Sequence, residues 1–126
     1  MTERKSHMIT SEDMEAMNYS MRPKTDDYSK WVETMIVTSG DTRLVENTLG
    51  LVGEAGEVAE KVKKKLRDGT AVSPHEIIKE LGDVVFYCTA LANAFGSSLA
   101  EVQHMNMQKL NSRKERGVIA GSGDDR

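Results

Sequence analysis

From Arg43 to Arg67 the apolar residues Leu51, Ala55, Val58, Val62 and Leu66 return every three or four positions. From Ser73 onward Ile77, Ile78, Leu81, Val84, Val85, Cys88, Leu91, Ala92 and Phe95 do the same. That period belongs to an amphipathic α-helix; a half-buried strand would alternate every second residue. Asp68-Gly69 supplies a stop, and Ser73-Pro74 with Glu76 reads as a capping box with proline in the first turn. The connection over 68–73 is short, so the two helices are antiparallel neighbours. Asp26-Asp27 caps an earlier helix through Tyr28, Trp31, Val32, Met35 and Ile36, extending toward Thr38 and closed by Ser39-Gly40-Asp41. Ser98 opens a last one through Val102, Met105 and Leu110 that ends near Arg116-Gly117. Met8, Ile9, Met14, Met17 and Met21 predict a short helix near 11–20, stopped by Pro23. The expected fold is all-α and four-helix-bundle-like over 26–117, with an extension over 1–25 and a Gly/Ser-rich tail over 118–126.

Composition narrows the function classes. The 126 residues carry a net charge of −3, which gives no general attraction for a polyanion, so duplex nucleic acid is not an expected partner. Cys88 is the single cysteine, and it forms neither an internal disulfide nor a thiolate metal cluster; among Val84, Val85 and Leu91 it reads as core. His7, His75 and His104 have no helical partner for zinc. No apolar run approaches the roughly 20 residues that span a bilayer, so the expectation is a cytoplasmic protein with no membrane partner. Aromatics are only 5% of the chain while methionines number eight, so Met-rich shoulders should remain exposed on so small a domain and favour assembly. Trp31 reads as a packing residue.

The chemistry-bearing feature is acidic. Glu54 and Glu57 are three residues apart, hence about 60° apart around one helix. Glu80 and Asp83 repeat the spacing on the next, in a strip that runs from Glu76 to Tyr87. If the two shoulders meet, four carboxylates converge, an arrangement that raises carboxyl pKa values unless a cation intervenes. Oxygen donors without Cys or His suit Mg²⁺, with Mn²⁺ a second choice. Spacing alone also fits two solvated helix faces. Gly50, Gly53, Gly56 and Gly82 each cost about 1 kcal/mol in a helix. Close approach of the paired helix would offset that, and the Gly50–Gly56 run is not a phosphate-binding loop.

Gly50-Leu51-Val52-Gly53-Glu54-Ala55-Gly56-Glu57-Val58-Ala59-Glu60, followed by Glu80-Leu81-Gly82-Asp83-Val84-Val85-Phe86-Tyr87, resembles the E-x-x-E and E-x-x-D signature of the MazG-like all-α nucleoside triphosphate pyrophosphohydrolases. Asn106-Met107-Gln108-Lys109-Leu110-Asn111-Ser112-Arg113 is similar to their N-x-x-K-L-x-x-R segment, and the residues from Arg116 to Asp124 resemble single-domain bacteriophage members. The resemblance covers roughly 26–126. It implies Mg²⁺-dependent hydrolysis of a (deoxy)nucleoside triphosphate to monophosphate and pyrophosphate by water attack at the α-phosphorus. Deoxynucleotide substrates and a host-cytoplasm location are implied by the phage members. The implied metal ligands are Glu54, Glu57, Glu80 and Asp83, with Glu57 or Glu60 handling the proton of the attacking water. Lys61, Lys64, Tyr87, Asn106, Lys109 and Arg113 are the expected substrate contacts, Arg113 through a bidentate phosphate grip. Relatives form homo-dimers or homo-tetramers, so a homo-oligomer is expected. Hydrolysis of an alarmone or another nucleotide, or a non-enzymatic helical interaction module, stands as the alternative.

Overall fold

The computed structural model describes residues 25–69 and 71–126, so the helix expected near 11–20 lies outside the described residues. Among the described residues there are four helices: α1 (Asp27–Met35), α2 (Gly40–Asp68), α3 (Pro74–Ala94) and α4 (Leu99–Glu115). No strand occurs among the described residues, and the chain is all-α as its periodicity predicts. Two compact units emerge: Thr25–Leu99, which holds α1 to α3, and Ala100–Arg126, which holds nearly all of α4 and the tail. No described helix is long and apolar enough to cross a membrane.

Local chemistry sets the boundaries. Asp26 caps α1, its carboxylate accepting from the Ser29 backbone N–H and the Ser29 hydroxyl, both at 2.8 Å. The helix stops at Met35, three residues short of the sequence pattern, and Ile36 is extended at φ −83°, ψ 125°. Ile36, Val37 and Thr38 are consecutive β-branched residues, which lose χ1 freedom in a helix, so the chain crosses to α2 in extended form. Gly69 closes α2 in the left-handed conformation at φ +63°. The capping box at α3 forms as expected: Ser73 Oγ accepts from Glu76 N at 3.3 Å, and Glu76 Oε2 accepts from Ser73 N at 3.2 Å.

α3 packs along α2, with α1 laid against α3. The α2–α3 pair is antiparallel: Arg43 donates to the Ala90 carbonyl, Gly50 lies against Tyr87, and Lys61 pairs with Glu80. At one level of this hairpin a polar knot joins all three helices. The Arg43 guanidinium donates to both Glu33 carboxylate oxygens and, at 3.1 Å, to the Ala90 carbonyl. Asn93 Nδ2 donates to the Ser29 carbonyl at 2.9 Å and to Glu33 Oε1 at 3.1 Å, while Ser29 Oγ accepts from Leu99 N at 2.8 Å. These bonds lie beside a small apolar centre of Val32, Ala90 and Ala92, with Arg43 Nε buried and without a hydrogen-bond partner among the described residues. The apolar stripe expected on α2 is only partly covered: Leu51 and Val58 are half-buried, but Leu66 is 80% exposed and Val62 is exposed as well.

Candidate functional site

Glu54 on α2 and Glu80 and Asp83 on α3 bring carboxylate oxygens within 4.8 Å of one another. The antiparallel register does this: one turn along α2 from Gly50 stands Glu54, and one turn back along α3 from Tyr87 stands Asp83. Glu54 and Glu80 are half-buried and Asp83 is exposed. The Glu54 carboxyl is pushed above the usual carboxylate range, first by burial and then by the negative charges of Asp83, Glu80 and Glu57, with a hydrogen bond to Glu80 adding to the effect. These acids are thus packed more tightly than isolated surface carboxylates, and an all-oxygen donor set of this kind can hold a hard divalent cation.

The other expected residues are distributed unevenly around this group. Glu57 lies outside the three-carboxylate set but close enough for its charge to act on Glu54. Lys61 Nζ sits 3.4 Å from Glu80 Oε1, which brings a cation to the edge of the acidic group. Glu60 turns to the lysines, 2.9 Å from Lys63 Nζ and 3.8 Å from Lys64 Nζ, and Lys63 chiefly holds its carboxyl below the usual range. Tyr87 is half-buried and stands edge-on to Phe86, with ring centroids 5.4 Å apart. A Cβ on Gly50 would fall 2.3 Å from the Tyr87 ring, so this glycine provides the close approach that its cost in a helix called for. The same expectation fails for Gly53, Gly56 and Gly82, where a Cβ would meet nothing within 4 Å.

Asn106, Lys109 and Arg113 belong to the second unit. Asn106 and Lys109 line one groove along α4. Lys109 Nζ lies 3.3 Å from Asp124 Oδ1. Arg113 is 5% exposed; its Nη2 donates to the Asp124 carbonyl at 2.6 Å and, at 3.3 Å, to the Gly123 carbonyl and to Asp124 Oδ1. The two cations, Lys109 foremost, hold the Asp124 carboxyl below its usual range. Tail segment 118–126 is thereby clasped to its helix, and Arg126 adds bonds to the Val118 and Ile119 carbonyls at 3.2 and 2.9 Å.

Spacing did not point to Tyr28. Its phenol is raised by burial and, secondarily, by the charge of Asp83, so it stands within electrostatic reach of the acidic group. Tyr28 also meets Trp31 at 5.6 Å, and Trp31 meets Phe86 edge-on at 6.1 Å, so the tryptophan packs against rings as expected while remaining 50% exposed. Only a residue's place on α1 relative to α3 reveals such a neighbour, and no local signal carries it.

Comparison with known proteins bears on this geometry. Residues 44–118, which include every carboxylate of the group, match the MazG nucleotide pyrophosphohydrolase domain. The Gene 37 protein of Mycobacterium phage L5 is 50% identical over 96 residues, covering 70% of this chain and 84% of the phage protein. No solved structure matches the chain. With the domain match spanning more than half its length, and three of the four acids of the signature converging in space, the chain belongs to the MazG nucleotide pyrophosphohydrolase family.

Proposed function

We propose that the chain hydrolyses nucleoside triphosphates, deoxynucleotides among them, to the monophosphate and pyrophosphate, using Mg²⁺ at the α2–α3 acidic group. The observation that carries this reading is the convergence of Glu54, Glu80 and Asp83, with the Glu54 carboxyl raised by its neighbours. Repulsion of that kind is relieved by a dication, and the donor set suits Mg²⁺ first and Mn²⁺ second. Glu54, Glu80 and Asp83 would hold the ion, with Glu57 completing the set. When bound, Mg²⁺ supplies neutralisation of phosphate charge and a more acidic water. Glu57, on the Glu54 face of α2, accepts the proton of the water that attacks the α-phosphorus. Glu60 is a weaker choice for that role because Lys63 and Lys64 already hold its carboxylate. Lys61 exchanges its pairing with Glu80 for a phosphate oxygen, and pyrophosphate leaves with its charge partly balanced there.

Exposed Val45, Leu49 and Val52 on α2 and Ile78, Leu81 and Val85 on α3 support a second proposal, that copies of this chain cover one another as a homo-dimer or homo-tetramer. Light scattering of the full chain tests it, and a monomer at micromolar concentration overturns it. For the reaction, the test is a Mg²⁺-dependent assay of the common ribo- and deoxyribonucleoside triphosphates in ¹⁸O water with product identification. Labelled monophosphate plus pyrophosphate supports the reading. Diphosphate plus orthophosphate, or turnover indifferent to chelation, overturns it.

A further inference from the structure

The segment that follows α4 is held by hydrogen bonds more than by apolar burial. Residues 119–125 are exposed and Val118 and Arg126 at its two ends are half-buried, so opening it exposes little apolar surface. The chain doubles back because Gly117 takes the left-handed conformation at φ +70°, and Gly121 and Gly123 also have positive φ. Its hold on the helix centres on two cations one turn apart. Arg113 Nη2 donates to the Gly123 and Asp124 carbonyls and to Asp124 Oδ1, and Lys109 Nζ reaches the same Oδ1 at 3.3 Å. Arg116 Nη2 adds a bond to the Arg126 carbonyl at 2.7 Å. The two cations that the sequence offers to a substrate are thus occupied from within the chain.

The tail fills that place incompletely. A guanidinium presents Nε–H and Nη2–H as a two-toothed fork along one edge. The tail takes Nη2, while Nε is buried with no hydrogen-bond partner among the described residues. Asp124 brings a single negative charge on a side chain that is 83% exposed, so solvent screens its pairings. A phosphate chain carries more charge and a pair of oxygens that fits both teeth of the fork, so it competes for these cations at an advantage. Arg113, buried under the clasp, meets such a ligand only once the tail lets go. Lys109 is more accessible and borders the groove along α4, so it is where the anion first meets the helix. We propose that residues 118–126 are a strap released by a phosphate chain: Asp124 is the protein's own stand-in anion on Lys109 and Arg113, and pyrophosphate or the phosphates of a nucleotide displace it. The closed strap covers the cations of α4 and lowers their affinity for phosphates. This inference goes beyond the hydrolase reading, since it concerns α4 and its tail alone.

The experiment follows the amide signals of Gly121, Gly123 and Asp124 by NMR on the full chain in chelator, with calorimetry in parallel. The probes are inorganic pyrophosphate and a non-hydrolysable α,β-imido nucleoside triphosphate, against sodium chloride at matched ionic strength. Saturation is expected to move these signals to random-coil positions. Asp124→Asn removes the competing charge and should tighten pyrophosphate binding about threefold, whereas Lys109→Gln should weaken it about tenfold. Release by pyrophosphate alone, by the imido nucleotide alone or by both supports the strap and identifies the source of the phosphate chain. Tail signals that stay in place with both probes bound, equal release by chloride, no binding of either probe, or an affinity unchanged in Asp124→Asn or in Lys109→Gln overturns it. Turnover does not enter the readout, so the strap and the hydrolase reading fail separately.

Discussion

Two levels of the α2–α3 hairpin treat negative charge in opposite ways. Where Arg43 faces Ala90, Glu33 meets a guanidinium and an amide, and its carboxyl is held below the usual range, chiefly by the hydrogen bond from Arg43. Where Glu54 faces Asp83 and Glu80, acids meet acids, and the Glu54 carboxyl is raised. At the first level the acid finds its partners within the fold. At the second, one lysine against three carboxylates leaves an excess of negative charge that a cation could balance. The contrast separates the part of the hairpin that holds the helices together from the part proposed to do chemistry.

The largest effect expected from breaking the contrast is on turnover. Asp83→Asn removes one donor of the acidic group and should lower Mg²⁺-dependent pyrophosphate release by about a hundredfold or more. Circular dichroism should remain helical, because Asp83 is exposed. A variant that keeps its rate would detach the acids from the reaction. Arg43→Ala attacks the other level: it strips partners from Glu33 and the Ala90 carbonyl together, at a cost of about 1–3 kcal/mol in a urea melt. Loss of that size should come without the collapse in rate seen for Asp83→Asn. Equal effects of the two variants on rate would mean that the levels are not separable.

A smaller shift distinguishes repulsion from ordinary exposure at the acidic group. Glu54→Gln relieves the like-charge crowding, so in chelator its Tm should exceed that of the wild type. Adding Mg²⁺ should reverse the order, because the wild type gains stability by binding the ion and the variant gains less. If Mg²⁺ raises both melting temperatures alike, Glu54 is not part of the metal site.

Helices and caps were legible because their causes are local. A three- and four-residue period places α2 and α3, and Asp26, Ser73 and Glu76 cap as their side-chain chemistry requires. Three of the four acids expected to converge, Glu54, Glu80 and Asp83, do so across the short connection, while Glu57 lies outside that group. What the sequence did not disclose depends on contacts between distant positions. Asn93 reaches Ser29 across 64 residues and Arg43 reaches Ala90 across 47, in both cases at a backbone carbonyl that carries no residue-type signal. The glycine argument worked at Gly50, where a ring presses on the backbone, and failed at Gly53, Gly56 and Gly82, which face open space. The stop of α1 at Met35 was readable in principle from the Ile36-Val37-Thr38 run, but the amphipathic pattern through Ile36 outweighed it.

The smallest expected effect is the pH dependence of the knot, and its sign follows from the direction in which Glu33 is shifted. A carboxyl held below its ordinary value binds protons less readily in the folded chain than in the unfolded one. Its contribution is therefore fully present above the unfolded value and is lost as pH falls through the depressed folded value. Glu33→Gln removes that contribution, so the variant should melt below the wild type near neutrality, and the gap should close on acidification. Because the Glu33 side chain is 45% exposed, solvent screening limits the neutral-pH gap to about 1 kcal/mol or less. The profile is best recorded in chelator on an Asp83→Asn background, where the acidic group is already relieved of one charge and the two levels do not overlap in the same pH window. A gap that stays constant from neutral to acid pH would show that Glu33 acts through its shape and its neutral hydrogen bonds, and the charge on Arg43 would then contribute nothing to holding α1 against the hairpin.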